Sequence, residues 1–507
     1  MCDAVIIGAG MGGLAAALEL SLAGKKVMLI EQRNIPGGLA TSLVRGRFEF
    51  EATLHGMQGI GPKENPKVVR RFLEEAGIDL EFIPIKEAYR LIIPDENLDV
   101  VIPYNPNEMI DVIEKEVPGS KIPLTKLMEL CDEIHDSVNY FSQIEGKKNI
   151  KKLETFTKRK SFFRTGGYTA DEVIRKFHIP KKALNIIYPY WLYLGVPLEK
   201  VSFTTWANMM SDYFSGGASV IKDNSYGLSL AIEKRIRELG STIRYNTRVE
   251  KILVESGKVV GIVTDKNEEI KTNYVVSSAY PNKVYGSMIS PQDAIPKEAY
   301  KLNNARLVGS SAFCVFLGLD VPPEKLNINN YSYFVSNTMD SNEVYENSKN
   351  LGIPKYFTAV CLNKIVPDCT PKGTTQLSIA ALQKGEAWEH VTPENYNKVK
   401  REISEALIKN MGEVLGVDLF EHIEEIETAT PVTIARYTGS WNGSIYGYEH
   451  RPWDSFTSRL NSEENEKYIK GLEFAGAHAS TGNGFAYCIK SGDKAAKAIL
   501  SQMNERR

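Results

Sequence analysis

At 507 residues the chain exceeds the roughly 250–300 residues at which a single hydrophobic core usually stops growing, so two domains are expected. An apolar fraction of 43% and a charged fraction of 24% are ordinary for a folded protein and exclude bulk disorder. A formal net charge of -2 leaves no electrostatic footprint for nucleic acid. The six cysteines, Cys2, Cys131, Cys314, Cys361, Cys369 and Cys488, form no CxxC pair. They read as small buried hydrophobes in a reducing compartment. No basic leader precedes Ala4 and no run of about 20 apolar residues occurs. A cytoplasmic protein is therefore expected, with any membrane contact peripheral.

The first predicted element is the apolar run Ala4-Val5-Ile6-Ile7, which ends at Gly8-Ala9-Gly10-Met11-Gly12-Gly13 and continues into a helix-forming stretch from Leu14. A second apolar run, Val27–Ile30, ends in Glu31. Strand, G-x-G-x-x-G turn, helix, strand and acidic terminus are in register for a dinucleotide-binding βαβ unit. Gly8 permits the tight turn, Gly10 lets backbone approach a pyrophosphate, and Gly13 brings helix onto strand, with Gly12 counted in the same cofactor-binding turn. The diphosphate would meet free N–H groups at the helix start, and Glu31 would accept from ribose hydroxyls. Beyond it, Gln32-Arg33-Asn34-Ile35-Pro36-Gly37-Gly38-Leu39 supplies a second glycine turn whose N–H groups can also face phosphate. The chain has no second G-x-G-x-x-G after a strand, which argues against a separate nicotinamide domain.

Residues 147–164 hold eight basic residues and one acid, interleaved with Ile, Leu and Phe. That composition suits the surface of an anionic membrane or a solvated lid. The aromatic run Tyr188–Leu194 suits either an apolar channel or plain core. Strands are expected at Val259–Thr264, Tyr274–Ala279, Phe313–Asp320, Phe357–Cys361 and Gln376–Ala380. A helix over 394–415 is marked by Val399, Ile403, Leu407 and Met411, four apart. A final strand, Leu472–Phe474, runs into glycine turns at Gly476 and Gly482–Gly484 and a helix from about Tyr487 to Met503. No G-x-S-x-G elbow and no metal-spaced histidine cluster is present.

The stretch E-x-R-x-x-P-G-G-x-x-x-S, from Glu31 to Ser42, resembles the start of the FAD-binding amine-oxidase and phytoene-desaturase flavoproteins. The resemblance implies FAD as cofactor. It also implies a discontinuous Rossmann-like α/β FAD-binding domain (1–90, 220–290 and 460–507) and an α+β substrate domain with a mixed sheet and helices (91–219 and 291–459). Carried over residue by residue, Val249 contacts the adenine, and Gly476, Gly484 and Ala486 lie beside the flavin. Gly46–His55 is similar to the G-x-x-F-D-x-G-x-H stretch of the carotenoid-isomerase and retinol-saturase branch, with Glu51 in place of the usual Asp. Thr430–Tyr437 followed by Gly443–Gly447 is similar to the T-P-x-T-x-x-R-Y…G-x-x-Y-G stretch of that branch. The implied reaction is desaturation, saturation or isomerisation of carbon–carbon bonds in an apolar isoprenoid, polyene or lipid. His55, Glu51, Arg436 and Tyr446 are the proton donors or acceptors to consider, and the external electron donor or acceptor stays open. Two alternatives stand beside it: an amine oxidase using O₂, and a non-catalytic flavin module.

Overall fold

The computed structural model describes residues 2–53, 55–144, 157–338, 340–456, 458–459, 467–479 and 482–505. Its first sheet is parallel and five-stranded, in the spatial order Leu472–Phe474, Val275–Ser277, Ala4–Ile7, Val27–Ile30, Thr242–Arg244. All four residues of Ala4–Ile7 are buried because both faces of the sheet are covered. Ala4 and Ile6 pack among the helices, including Met11–Leu22 and Phe485–Asn504. Val5 and Ile7 pack instead on a four-stranded sheet containing Val249–Glu255, Lys258–Thr264 and Glu269–Lys271. Period-2 alternation is therefore present but invisible as polarity, which is why the strand reads as an unbroken apolar run.

The second large sheet has seven strands, in the order Ile423–Ala429, Ser311–Leu319, Thr375–Gln383, Tyr356–Val360, Ser332–Ser336, Glu87–Ile93, Leu98–Pro103. It is mixed: Ser332–Ser336 runs parallel to Glu87–Ile93, and the other neighbours are antiparallel. The strand Glu87–Ile93 straddles the domain boundary expected at residue 90. Along Ser311–Leu319, Phe313, Val315 and Leu317 pack towards the helix Pro393–Leu415, whose Ile403, Leu407 and Met411 are buried against them. The intervening Ala312, Cys314 and Phe316 face a large cavity. A helical layer that includes Lys121–Ile144 and Phe203–Phe214 completes the largest core, around Tyr89, Tyr190 and Trp206.

The C-terminal helix begins at Phe485, two residues before the expected start, because Gly484 at φ +94° is its cap. The last expected strand of the return to the first sheet is shorter than Tyr274–Ala279, and only Val275–Ser277 pairs. Among the described residues no helix is long and apolar enough to cross a membrane. No cluster of potential metal ligands occurs among them either.

Candidate active site

The glycine-rich loop is built as the βαβ pattern requires. Glu31 accepts hydrogen bonds from the Ala9 amide at 2.7 Å and from the Arg33 amide at 2.8 Å, so the acidic terminus of the second strand braces the loop. The second glycine turn lies directly on the first. The Gly37 amide donates to Ala9 O at 2.8 Å, and Gly10 and Gly37 form an isolated parallel bridge. Arg33 donates to Gly38 O at 3.2 Å and lies 5.3 Å from the Tyr437 ring centroid.

These elements open into one cavity of about 1240 Å³. That exceeds the roughly 300–1,000 Å³ usual for a small-molecule site and leaves room for two occupants. At one end it is lined by Gly8, Gly10, Gly12, Glu31, Gln32, Arg33, Gly37, Gly38, Leu39, Val249, Gly476 and Gly484. Gly13 and Ala486 sit behind that wall. A Cβ on Gly13 would lie 2.0 Å from Gly8 O, and Ala486 is 2% exposed. Their part is packing under the loop.

The chain matches the family model described as "Flavin containing amine oxidoreductase" over residues 11–500. It belongs to that family. The chain is 25% identical over 508 residues to prolycopene isomerase of Daucus carota, covering 99% of this chain and 80% of that one. It is 24% identical over 511 residues to all-trans-retinol 13,14-reductase of Danio rerio, covering 94% and 82%. The solved cyclohexylamine oxidase of Brevibacterium oxydans IH-35A shares the fold, with a TM-score of 0.64 at 14% identity over 99% of both chains. The protein is thus a flavoenzyme and an oxidoreductase, with FAD as its cofactor. The residues present fit that group: the glycine-rich backbone and the start of the helix Met11–Leu22 line the cavity, and the buried Glu31 carboxylate stands beside them.

The four expected acid–base residues separate. The hairpin Ser42–Arg45 and Phe48–Glu51 ends in Glu51, whose carboxylate accepts from the Ser225 amide at 2.7 Å, the Ser225 hydroxyl at 2.6 Å and the Thr53 amide at 3.2 Å. It caps the start of the helix Asn224–Glu238 and lies outside the main cavity wall. Its neighbours Phe48 and Phe50 are buried against Phe316. The T-P-x-T motif is a helix start: the Thr430 hydroxyl accepts from the Thr433 amide, with Pro431 in the first turn. It directs Arg436 to the exposed rim of the cavity.

His55 and Tyr446 do line the cavity. Burial pulls the His55 imidazole down to about 4, so it is neutral at physiological pH. Its ring meets Tyr193 edge-on at 6.5 Å. Burial pushes the Tyr446 phenol up, and Gly195 makes room for its ring: a Cβ there would lie 2.7 Å from Tyr446 Cδ2.

Residues absent from the expected set complete the wall. Met209, Tyr213, Phe334, Tyr356 and Thr358 line the cavity with Leu192, Tyr193 and Leu194, and the Tyr193 ring meets those of Tyr213 and Phe334. The run Tyr188–Leu194 thus serves both expected purposes, since Tyr190 and Trp191 are core. His450 and His478 also line the cavity. His478 is pulled down to about 3 by burial and then by Arg306 and Arg459. Of these, only the aromatic run carried a signal in the sequence.

Proposed function

We propose that this flavoenzyme acts on carbon–carbon bonds of an apolar isoprenoid, polyene or related lipid, by desaturation, saturation or isomerisation. The observation that carries this reading is the single cavity, whose wall holds the glycine-rich loops, His55 and Tyr446, and an aromatic and aliphatic set that includes Tyr193, Leu194, Met209, Tyr213 and Phe334. Full-length similarity to a prolycopene isomerase and an all-trans-retinol 13,14-reductase supports it. FAD would lie along Gly8, Gly10, Gly12, Glu31, Arg33, Gly37, Gly38 and Leu39, with Val249 at the adenine and Gly476 and Gly484 nearer the flavin. When bound it supplies two-electron chemistry at N5. The protein excludes water, and the apolar part of the wall holds the substrate's length. The segments 1–90, 220–290 and 460–507 would serve the cofactor, and the remainder the substrate.

His55 and Tyr446 would contact substrate as neutral hydrogen-bonding groups. Neither ring is linked to a further titratable group by a hydrogen bond among the described residues. Removing one neutral hydrogen bond costs about 0.5–1.5 kcal/mol. His55→Ala and Tyr446→Phe are each expected to lower kcat/KM by roughly 2- to 10-fold while FAD content stays unchanged. Unaltered turnover in both variants would remove these residues from the site.

The rim supports peripheral contact with a membrane. Val44, Val432 and Tyr437 line the cavity, yet are 61%, 43% and 53% exposed, and Arg436 is exposed beside them. Apolar side chains with basic neighbours at the mouth would let a lipid-soluble substrate pass without crossing water. Most of the basic stretch at 147–164 lies outside the described residues. Within its described part Phe162 is buried and Phe163 exposed. Co-flotation with vesicles containing phosphatidylserine is the measurement. Replacing Val44, Val432 and Tyr437 together with glutamate is expected to weaken it at least tenfold, since withdrawing one such side chain costs about 1.5 kcal/mol or more. Flotation equal to that of wild type would place the contact elsewhere.

A further inference from the structure

The wall of the cavity continues into a ring of polar contacts, three of them hydrogen bonds, that includes two partly exposed side chains. Tyr487, in the first turn of the helix Phe485–Asn504, lines the cavity together with Asn208 of the helix Phe203–Phe214. The Tyr487 hydroxyl donates to Asp212 Oδ2 and accepts from Asn208 Nδ2. Asn208 and Asp212 are four residues apart, so both project from one face of their helix. Asn208 Oδ1 lies 3.1 Å from His135 Nδ1, and Asp212 Oδ1 lies 3.5 Å from that same nitrogen. Asn139, one turn along the helix Lys121–Ile144, lies with Nδ2 2.7 Å from His135 Nε2.

Donors and acceptors in this ring are consistent in one direction. Asn139 donates to His135 Nε2, which leaves the proton of a neutral imidazole on Nδ1. His135 Nδ1–H then donates to Asn208 Oδ1, Asn208 donates to Tyr487, and Tyr487 donates to Asp212. The side chains of His135 and Asp212 are 22% and 16% exposed, so the ring touches water at one edge and the cavity at the other. Other charged groups face it from two of the three helices. Asp132 accepts from Ser211 and Ser215, and Lys490 lies 5.0 Å from the Tyr487 ring centroid.

We infer that Tyr487 is the residue that exchanges a proton with the cavity's occupant, and that Asp212 and His135 connect it to solvent. The inference rests on the carbon–carbon reading above, since saturating or moving a double bond requires one proton to arrive or leave. In delivery, the O–H bond of Tyr487 breaks and its proton joins the electron pair on the substrate carbon. To reset, His135 takes a proton from water at Nε2 as the Asn139 amide turns away, the imidazolium protonates the Asp212 carboxylate, and that carboxyl returns the proton to the Tyr487 oxygen. Removal of a proton runs the same bonds in reverse. Among the described hydrogen bonds, no other tyrosine lining this cavity donates to a carboxylate.

The test uses the FAD-loaded enzyme, with prolycopene and all-trans-retinol as probes in the oxidised and dithionite-reduced states. Tyr487→Phe and Asp212→Asn are each expected to lower kcat by about 10²- to 10⁴-fold, the usual contribution of a placed acid or base. KM and FAD content should stay as in wild type, and His135→Gln should shift the pH dependence of kcat. Wild-type kcat in Tyr487→Phe overturns the assignment. A second readout needs no substrate: in protein labelled with ¹⁵N-histidine, the His135 ring-nitrogen resonances at a fixed pH should shift in both Tyr487→Phe and Asp212→Asn. Resonances unchanged in both overturn the relay. If they shift while wild type converts neither probe, the carbon–carbon reading falls and the relay stands.

Discussion

Gly12→Val is expected to yield protein that carries no flavin. The Cβ that glycine lacks would lie 2.4 Å from Gly476 N, 2.7 Å from Gly476 Cα and 2.9 Å from Ala475 C. All three are backbone atoms, so no side-chain rotation relieves the clash. The crowding is also structural at depth. The helices Met11–Leu22 and Phe485–Asn504 touch where Gly492 meets Gly12, and a Cβ on Gly492 would lie 2.4 Å from Gly12 O. Any shift that admits the larger side chain therefore separates two segments of the cavity wall along which FAD is proposed to lie. Absorbance of the flavin band per mole of protein is the measurement, with circular dichroism to follow the fold. Gly167→Ala is the control, because nothing lies within 4 Å of the added carbon. A yellow Gly12→Val protein with wild-type FAD content would contradict the placement of the loop.

The second large effect is on stability and falls on a residue outside the cavity wall. Glu449 has a side chain 1% exposed and accepts from Lys384 Nζ at 2.6 Å, Tyr345 at 2.6 Å and Arg451 Nε at 2.8 Å. Burial raises its carboxyl, but Lys384, Tyr345 and Arg451 outweigh burial and hold it below the usual carboxylate range. Glu449→Gln keeps the shape and removes the charge, leaving the ammonium of Lys384, itself 7% exposed, without its counter-ion. Breaking one side of a buried pair costs about 3–5 kcal/mol. That is a large share of the roughly 5–15 kcal/mol that holds a domain together. The sign with pH follows from the direction of the shift. A carboxyl held below its unfolded value, near 4.3 for Glu, stabilises fully above that pH and loses its contribution as pH falls through the folded value. Denaturant melts should show wild type losing stability on acidification below about pH 4, with part of that loss missing in Glu449→Gln. Equal stability of the two proteins at neutral pH would contradict the buried pair.

What the sequence revealed was local, and what it hid was distant. Gly8 to Glu31 could be read because strand, turn, helix and acidic terminus lie within one short stretch, each with its own mechanical reason. Glu31 stands beside that loop and accepts from the Ala9 amide, a bond within the protein that the spacing alone did not suggest. Glu51 and Arg436 show the limit. Their motifs are real local structures, a hairpin end and a capped helix, yet the direction of each side chain depends on a distant partner. Glu51 meets Ser225, 174 residues away, and Arg436 is carried out to the rim. Tyr487 and Asp212 left no signal at all, because 275 residues separate them and neither lies in a motif. Three of the seven strands of the large sheet, Ser311–Leu319, Tyr356–Val360 and Thr375–Gln383, were visible from their β-branched and aromatic runs. Their cavity-facing set, Ala312, Cys314 and Phe316, was not, because the opposite face is equally apolar.

The most direct test of the central claim is an anaerobic visible absorbance scan of the purified protein, oxidised and then dithionite-reduced, before and after prolycopene and all-trans-retinol are added. The proposed function predicts a flavin spectrum and conversion of at least one probe. Bleaching of the oxidised flavin would mark a desaturase, reoxidation of the reduced flavin a saturase, and product without net flavin change an isomerase. Protein that holds no FAD even after reconstitution would contradict the account. So would protein bleached only by soluble amines, with peroxide released on exposure to air.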